Sequence, residues 1–136
     1  MIVLGIETSC DETSASIVKD GILVSNIVYT QNIHIKYGGV VPELASQEHL
    51  NEIVDVVELA LKDSKIKISQ IDGIAVTYGP GLMGSLLIGL NFAKAMSISL
   101  NIPFLGINHL EGHIFSNYIN NSNILFPHLC CLVSGG

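Results

Sequence analysis

Short apolar strands alternating with longer helical segments predict an α/β fold built on a mixed sheet. Three observations carry that expectation. A β-branched run, Ile2 to Ile6, opens the chain and ends in a polar turn. A hairpin follows, its arms joined by Asp20-Gly21, and from Pro42 onward helices and strands alternate. Apolar residues make up 49% of the 136-residue chain and charged ones 13%, which excludes disorder and demands a packed core. A chain of this length can bury one as a single domain.

Each element has its own warrant. Ile2 to Ile6 is short, β-branched and followed by polar residues, so it reads as a buried strand. Ala15 to Lys19 and Ile22 to Tyr29 pair as a hairpin, because Asp20-Gly21 tolerates positive φ. Thr30 to Val41 is polar, contains Tyr37-Gly38-Gly39 and reads as a loop. Pro42 suits the first turn of a helix running to about Asp63, with Glu43 and Glu48 near its positive end. Within it Leu50, Ile53, Val54, Val57 and Leu61 recur at helical spacing, and Lys62 and Lys65 sit near the negative end. Ile74 to Thr77 is a buried strand broken by Gly79-Pro80-Gly81, and Met83 to Leu100 a second, mostly buried helix. Pro103 to Ile107 is another strand, His109 to Ile119 a third helix, and His128 to Val133 one further strand.

The order is β-β-β-α-β-α-β-α followed by an orphan strand. It resembles the ribonuclease-H-like unit, the half-domain of the actin, heat-shock and sugar-kinase (ASKHA) fold. On that layout residues 1–127 form the first unit, and residues 128–136 begin a truncated second unit.

Charge and cysteine content narrow the function classes. The net charge is -6 with 6 Lys+Arg, scattered along the chain, a poor footprint for nucleic acid unless other surfaces supply the cations. Cys10, Cys130 and Cys131 are odd in number and lack zinc-knuckle spacing, so they read as reduced thiols in a cytoplasmic protein. The opening residues lack a basic leader and meet Glu7 too soon for a signal peptide. The apolar stretch Leu82 to Leu100 carries Lys94, Asn91 and several serines, which fits a helix of a folded core rather than a bilayer span.

Three motifs carry chemistry. His109 and His113 in Asn108-His-Leu-Glu-Gly-His113 share one helix face and can reach a single metal ion, although ordinary solvated helices show the same spacing. Glu111 lies about 200° around the helix from His109, so it cannot serve as the base of a zinc-protease H-E-x-x-H motif. The turn holding Glu7, Asp11 and Glu12 among Thr8, Ser9, Thr13 and Ser14 is either a solvated acidic loop or a cradle for phosphate or a cation. Gly79-Pro-Gly-Leu-Met-Gly84 matches G-x-G-x-x-G, but Asn108 replaces the ribose-binding acid and Pro80 removes an N–H. Close packing by Gly84 and Gly89 explains those glycines without a dinucleotide. His34, His49 and His128 have no spacing that nominates them, and each reads as a lone surface or core histidine.

Several long motifs in order then point to one family. They are Gly5-Ile-Glu-Thr-Ser-Cys-Asp-Glu-Thr-Ser-Ala15, Tyr37-Gly-Gly-Val-Val-Pro-Glu-Leu-Ala-Ser46 and Gly79-Pro-Gly-Leu-Met-Gly-Ser-Leu-Leu87. Asn108-His-Leu-Glu-Gly-His113 and Leu132-Val-Ser-Gly-Gly136 complete the set. Over essentially its whole length the chain resembles the N-terminal part of the tRNA threonylcarbamoyladenosine transferases, also known as the glycoprotease or O-sialoglycoprotein endopeptidase family. The resemblance implies an acyltransferase that moves a threonylcarbamoyl group from threonylcarbamoyl-adenylate to the adenosine beside the tRNA anticodon. It implies that His109 and His113 bind one divalent ion, iron or zinc. It also implies that Asp11 and Glu12 are acidic active-site residues, and that Leu132, Val133, Ser134, Gly135 and Gly136 form a substrate-binding loop. A paralogous scaffold subunit and a small ATPase are the implied partners, with no membrane role.

Two departures matter. Gln47 stands where the family carries arginine, and the family's aspartate ligand and the His-Thr after the glycine turn lie past Gly136. The sequence is therefore expected to be a fragment or the product of an interrupted gene, binding metal weakly and turning over little alone. A non-catalytic scaffold of the same pathway is the alternative from another class, and retention of both histidines argues against it. A metallopeptidase is disfavoured by the position of Glu111.

Overall fold

The computed structural model describes residues 1–119 and 124–133. Five strands form one sheet in the order β3-β2-β1-β4-β5. They are β1 (Ile2–Glu7), β2 (Glu12–Lys19), β3 (Ile22–Thr30), β4 (Gly73–Gly79) and β5 (Phe104–Asn108). The first three make an antiparallel meander, whereas β4 and β5 join β1 in parallel, with Ile6 opposite both Ala15 and Val76. Asp20 (φ 51°) and Gly21 (φ 82°) close the β2–β3 hairpin with the two positive φ angles anticipated from their identity. The α/β class and the mixed sheet are as the sequence predicts.

Helices α1 (Pro42–Ser64) and α2 (Met83–Leu100) cover one face of the sheet. Strand alternation aims Leu4, Ile6, Ala15, Ile17, Ile74 and Val76 at them, and these side chains are buried with Ile53, Val56, Val57, Ala60 and Ala93. At about 25 cal/mol per Å² of apolar surface removed from water, this shared layer is the main force holding the meander to the parallel half.

Several expectations need correction. The inward stripe of α1 is Ala45, His49, Ile53, Val56, Val57 and Ala60, while Leu50 and Val54 are exposed. Small alanines and a hydrogen-bonded histidine take inward places, so apolar character alone mis-set the stripe. Helix α2 is not mostly buried either: only Ser85, Leu86, Gly89 and Ala93 are, and Met83, Leu87 and Ile98 face outward. It is the one helix among the described residues long and apolar enough to cross a membrane. The segment read as a loop holds a 3-10 turn, Asn32–Tyr37, ended by Gly38 at φ 70°. Buried His34 organises it, donating from Nε2 to Gln31 Oε1 at 2.8 Å and accepting from the Val41 N–H at 3.3 Å.

The third helix, α3 (His109–Ser116), continues only as turns to Ile119. His128 to Val133 forms no strand: it pairs with no described strand, and Leu129 and Val133 are 96% and 87% exposed. A β-prone run without a ladder partner has nothing to hold it in a sheet. The His128 ring rests instead against Tyr118 and Phe126.

Candidate functional site

Strands β1, β4 and β5 run parallel, so the turns after β1, β4 and β5 gather at one edge of the sheet. Ligand sites in open α/β sheets characteristically lie there. Strand β2 starts at Glu12 rather than Ala15, since Ser14 pairs with Glu7 and Glu12 with Thr30. The polar turn is thus confined to Thr8–Asp11.

That turn is held from below. Thr8, fully buried, donates from Oγ1 to the Ser85 carbonyl at 2.9 Å, and the Leu82 N–H donates to the Ser9 carbonyl at 2.7 Å. His49 Nε2–H donates to the Cys10 carbonyl at 3.0 Å. Its Nδ1 must then be the acceptor for the Thr13 hydroxyl at 2.7 Å. Burial pushes the His49 pKa down, against the Cys10 hydrogen bond and the charges of Glu7 and Asp11. Burial also raises the Cys10 thiol, aided by Asp11, so this cysteine is no ready thiolate.

Glycines set how closely the helices approach. A Cβ on Gly81 would lie 2.5 Å from the Ser9 carbonyl oxygen. On Gly84 it would strike Ser46, and on Gly89 it would strike Thr8. Gly81 and Gly84 of the G-x-G-x-x-G run, with Gly89, therefore serve packing of α2 on α1 and on the turn, whereas Gly79 has open space around it and a positive φ.

At the end of β5, the Asn108 side chain accepts from the Leu110 N–H at 2.9 Å and caps α3. The next residue, His109, reaches back across β4 to the first turn. Its Nδ1 lies 3.2 Å from Ser9 Oγ and 3.4 Å from Glu7 Oε1, and Glu7 Oε1 also accepts from the Ser9 N–H at 2.8 Å. His109 Nε2 and His113 Nε2 stand 3.0 Å apart. Two nitrogen lone pairs at that separation need a proton or a metal ion between them. Nitrogens that each bond an ion at about 2.0–2.1 Å can sit this close, so the donor set fits one shared ion. Beside Glu7, a cavity of about 250 Å³ opens between α3 and the uncovered sheet face, lined by Gly5, Ser14, Ser16, Thr77 and Gly112.

The other site expectations fall as follows. Asp11 is half-buried on the turn and Glu12 exposed at the start of β2, where it accepts from the Thr30 hydroxyl at 3.2 Å. The turn side chains that meet His109 are Glu7 and Ser9. Leu132 and Val133 are exposed in irregular chain, and Ser134, Gly135 and Gly136 lie outside the described residues. Among the described residues no group of three His, Cys, Asp or Glu side chains is placed to hold a metal ion.

A family profile described as "TsaD: tRNA N6-adenosine threonylcarbamoyltransferase" matches residues 22–136. The chain belongs to this family. The threonylcarbamoyltransferase of that name from Caldicellulosiruptor saccharolyticus is 57% identical over 138 residues, covering 100% of this chain and 41% of the relative. The threonylcarbamoyltransferase from Desulfitobacterium hafniense is 56% identical over 136 residues, covering 98% of this chain and 40% of the relative. The chain thus spans about two fifths of the length of these N6-adenosine threonylcarbamoyltransferases. Among solved structures, Pseudomonas aeruginosa YeaZ superposes with a TM-score of 0.62 at 18% identity, covering 79% of this chain and 45% of that one. A second P. aeruginosa protein, described as similar to peptidase YeaZ, gives 0.64 at 20% identity over 89% and 49% of the two chains. At such identities the likenesses establish the fold alone.

Proposed function

We propose that this chain supplies the N-terminal part of the catalytic cleft of an enzyme that transfers threonylcarbamoyl from its adenylate to N6 of the adenosine beside the tRNA anticodon. In that reaction the adenosine amine attacks the carbamoyl carbon, a C–N bond forms, and the C–O bond to the adenylate phosphate breaks. The amine proton passes to a base, and AMP leaves. Asp11 and Glu12 are the proposed carboxylates for that proton, acting from the turn after β1. His109 and His113 are the proposed ligands of one divalent ion, iron or zinc, which when bound supplies a positive charge that polarises the acyl oxygen. Leu132 to Gly136 are the proposed substrate loop, offering backbone N–H groups.

The observation that carries this reading, beyond family membership, is the convergence of the His109 and His113 Nε2 atoms beside the Glu7–Ser9 turn. A scaffold that binds no ion gives this convergence no use, and Glu111, exposed on α3, offers nothing to a peptidase. Cytoplasmic location, tRNA as acceptor, and a paralogous scaffold and small ATPase as partners belong to the same proposal.

The test is complementation in trans. The chain is mixed with the portion of the C. saccharolyticus relative that follows the matched region, plus zinc or iron, threonylcarbamoyl-adenylate and tRNA. Modified adenosine that is lost in H109A and H113A is the expected result. Binding without turnover would favour the scaffold instead.

A further inference from the structure

We infer that Glu7 is a positioning residue: its carboxylate, with Ser9, fixes the Nδ1–H tautomer and ring orientation of His109, leaving Nε2 free for the ion. This rests on the proposed metal-binding role of the histidine pair and adds to it a residue that neither motif spacing nor the proposed chemistry had assigned.

The geometry sets a pinned negative charge beside one ring nitrogen of His109, the same nitrogen that hydrogen-bonds Ser9. Glu7 is the last residue of β1, and its partner in the sheet, Ser14, fixes which face it points from. Its Oε1 is pinned by the Ser9 N–H at 2.8 Å and lies 3.4 Å from His109 Nδ1. A carboxylate only accepts, so the proton on His109 is drawn to Nδ1. Ser9 Oγ, 3.2 Å from the same nitrogen, can accept alongside it. With Nδ1 protonated, Nε2 presents its lone pair toward His113, the arrangement an ion shared between the two rings requires. Both Glu7 and His109 are about seven-tenths shielded, with side-chain exposures of 31% and 28%, so the interaction is only partly screened by water. Carboxylate partners of ligand histidines typically contribute about 10–100-fold in metal affinity.

Two readouts on the whole chain test this. The first is the His109 tautomer in metal-free protein, read from its ring ¹⁵N resonances at a pH where imidazoles are neutral. The second is the zinc dissociation constant. Wild type is expected to show Nδ1–H. E7A is expected to move His109 toward Nε2–H and to weaken zinc binding about 10–100-fold. E7Q keeps the acceptor for the Ser9 N–H but removes the charge beside His109, so it should retain the fold and fall between wild type and E7A in both tautomer preference and zinc affinity. If folded E7A keeps both the wild-type tautomer and the wild-type affinity, the inference is wrong. It is equally wrong if S9A shifts the tautomer while E7A does not. A separate control isolates the underlying reading: zinc affinity unchanged in H109A and H113A would overturn the metal site itself, while the tautomer measurement would still judge Glu7.

Discussion

His49 on α1 and Thr13 on β2, 36 positions apart, meet in a 2.7 Å hydrogen bond that solvent cannot reach. Because His49 Nε2–H is committed to the Cys10 carbonyl, this one ring ties helix, strand and turn together. H49A therefore removes one buried and one partly buried hydrogen bond and leaves a cavity, and we expect it to cost about 2–4 kcal/mol in urea unfolding. T13V, which only deprives Nδ1 of its donor, should cost about 1–3 kcal/mol. Equal unfolding midpoints for H49A and wild type would rule out the clamp.

The same histidine sets a pH dependence whose sign follows from its environment. Burial holds its folded pKa below the ordinary 6.5. The unfolded chain therefore binds the proton more readily than the folded one. His49's contribution to stability is complete above about 6.5 and declines as pH falls from there through the folded value. A urea midpoint recorded at descending pH should drop in wild type and drop less in H49Q, and parallel profiles would remove His49 as the cause.

How much of this was legible in the sequence depends on the range of each interaction. The β2–β3 hairpin and the start of α1 at Pro42 follow from local chemistry, and the i,i+4 spacing nominated His109 and His113, whereas the caps at Gly38 and Asn108 went unread. The stripe of α1 did not follow, because His49 is buried through bonds to Cys10 and Thr13 that no helical period reveals. Likewise Glu7 and Ser9 were members of an acidic turn until the sheet order brought β5 within reach of β1 across β4. A contact spanning 100 residues, as Ser9 to His109 does, exists only once topology is known.

Two glycines on the site's rim should respond in opposite directions. Alanine at Gly81 would place a methyl group 2.5 Å from the Ser9 carbonyl and 2.8 Å from Ser9 Cβ, so backbone must move. We expect G81A to lose about 1–3 kcal/mol and to disturb the turn that faces His109. A methyl group added to Gly112, inside α3, would meet nothing within 4 Å. G112A should stabilise by about 0.5–1 kcal/mol, since alanine loses less backbone freedom on entering a helix. Thermal unfolding of the two variants beside wild type checks both signs.

Asn108 links the end of β5 to the helix that carries His109 and His113, and its cap can be separated from its position. Its Oδ1 accepts the Leu110 N–H at 2.9 Å, satisfying a donor that the first turn of α3 would otherwise leave to water. N108A should cost about 1 kcal/mol and increase amide exchange at Leu110, whereas N108D, which can cap equally well, should leave both near wild type. Because α3 begins with His109, fraying of that turn also loosens the 3.0 Å approach of the two Nε2 atoms. N108A is accordingly expected to weaken zinc binding in step with its loss of protection at Leu110. Weakened binding with normal protection would mean that Asn108 acts on the ion by some route other than the cap.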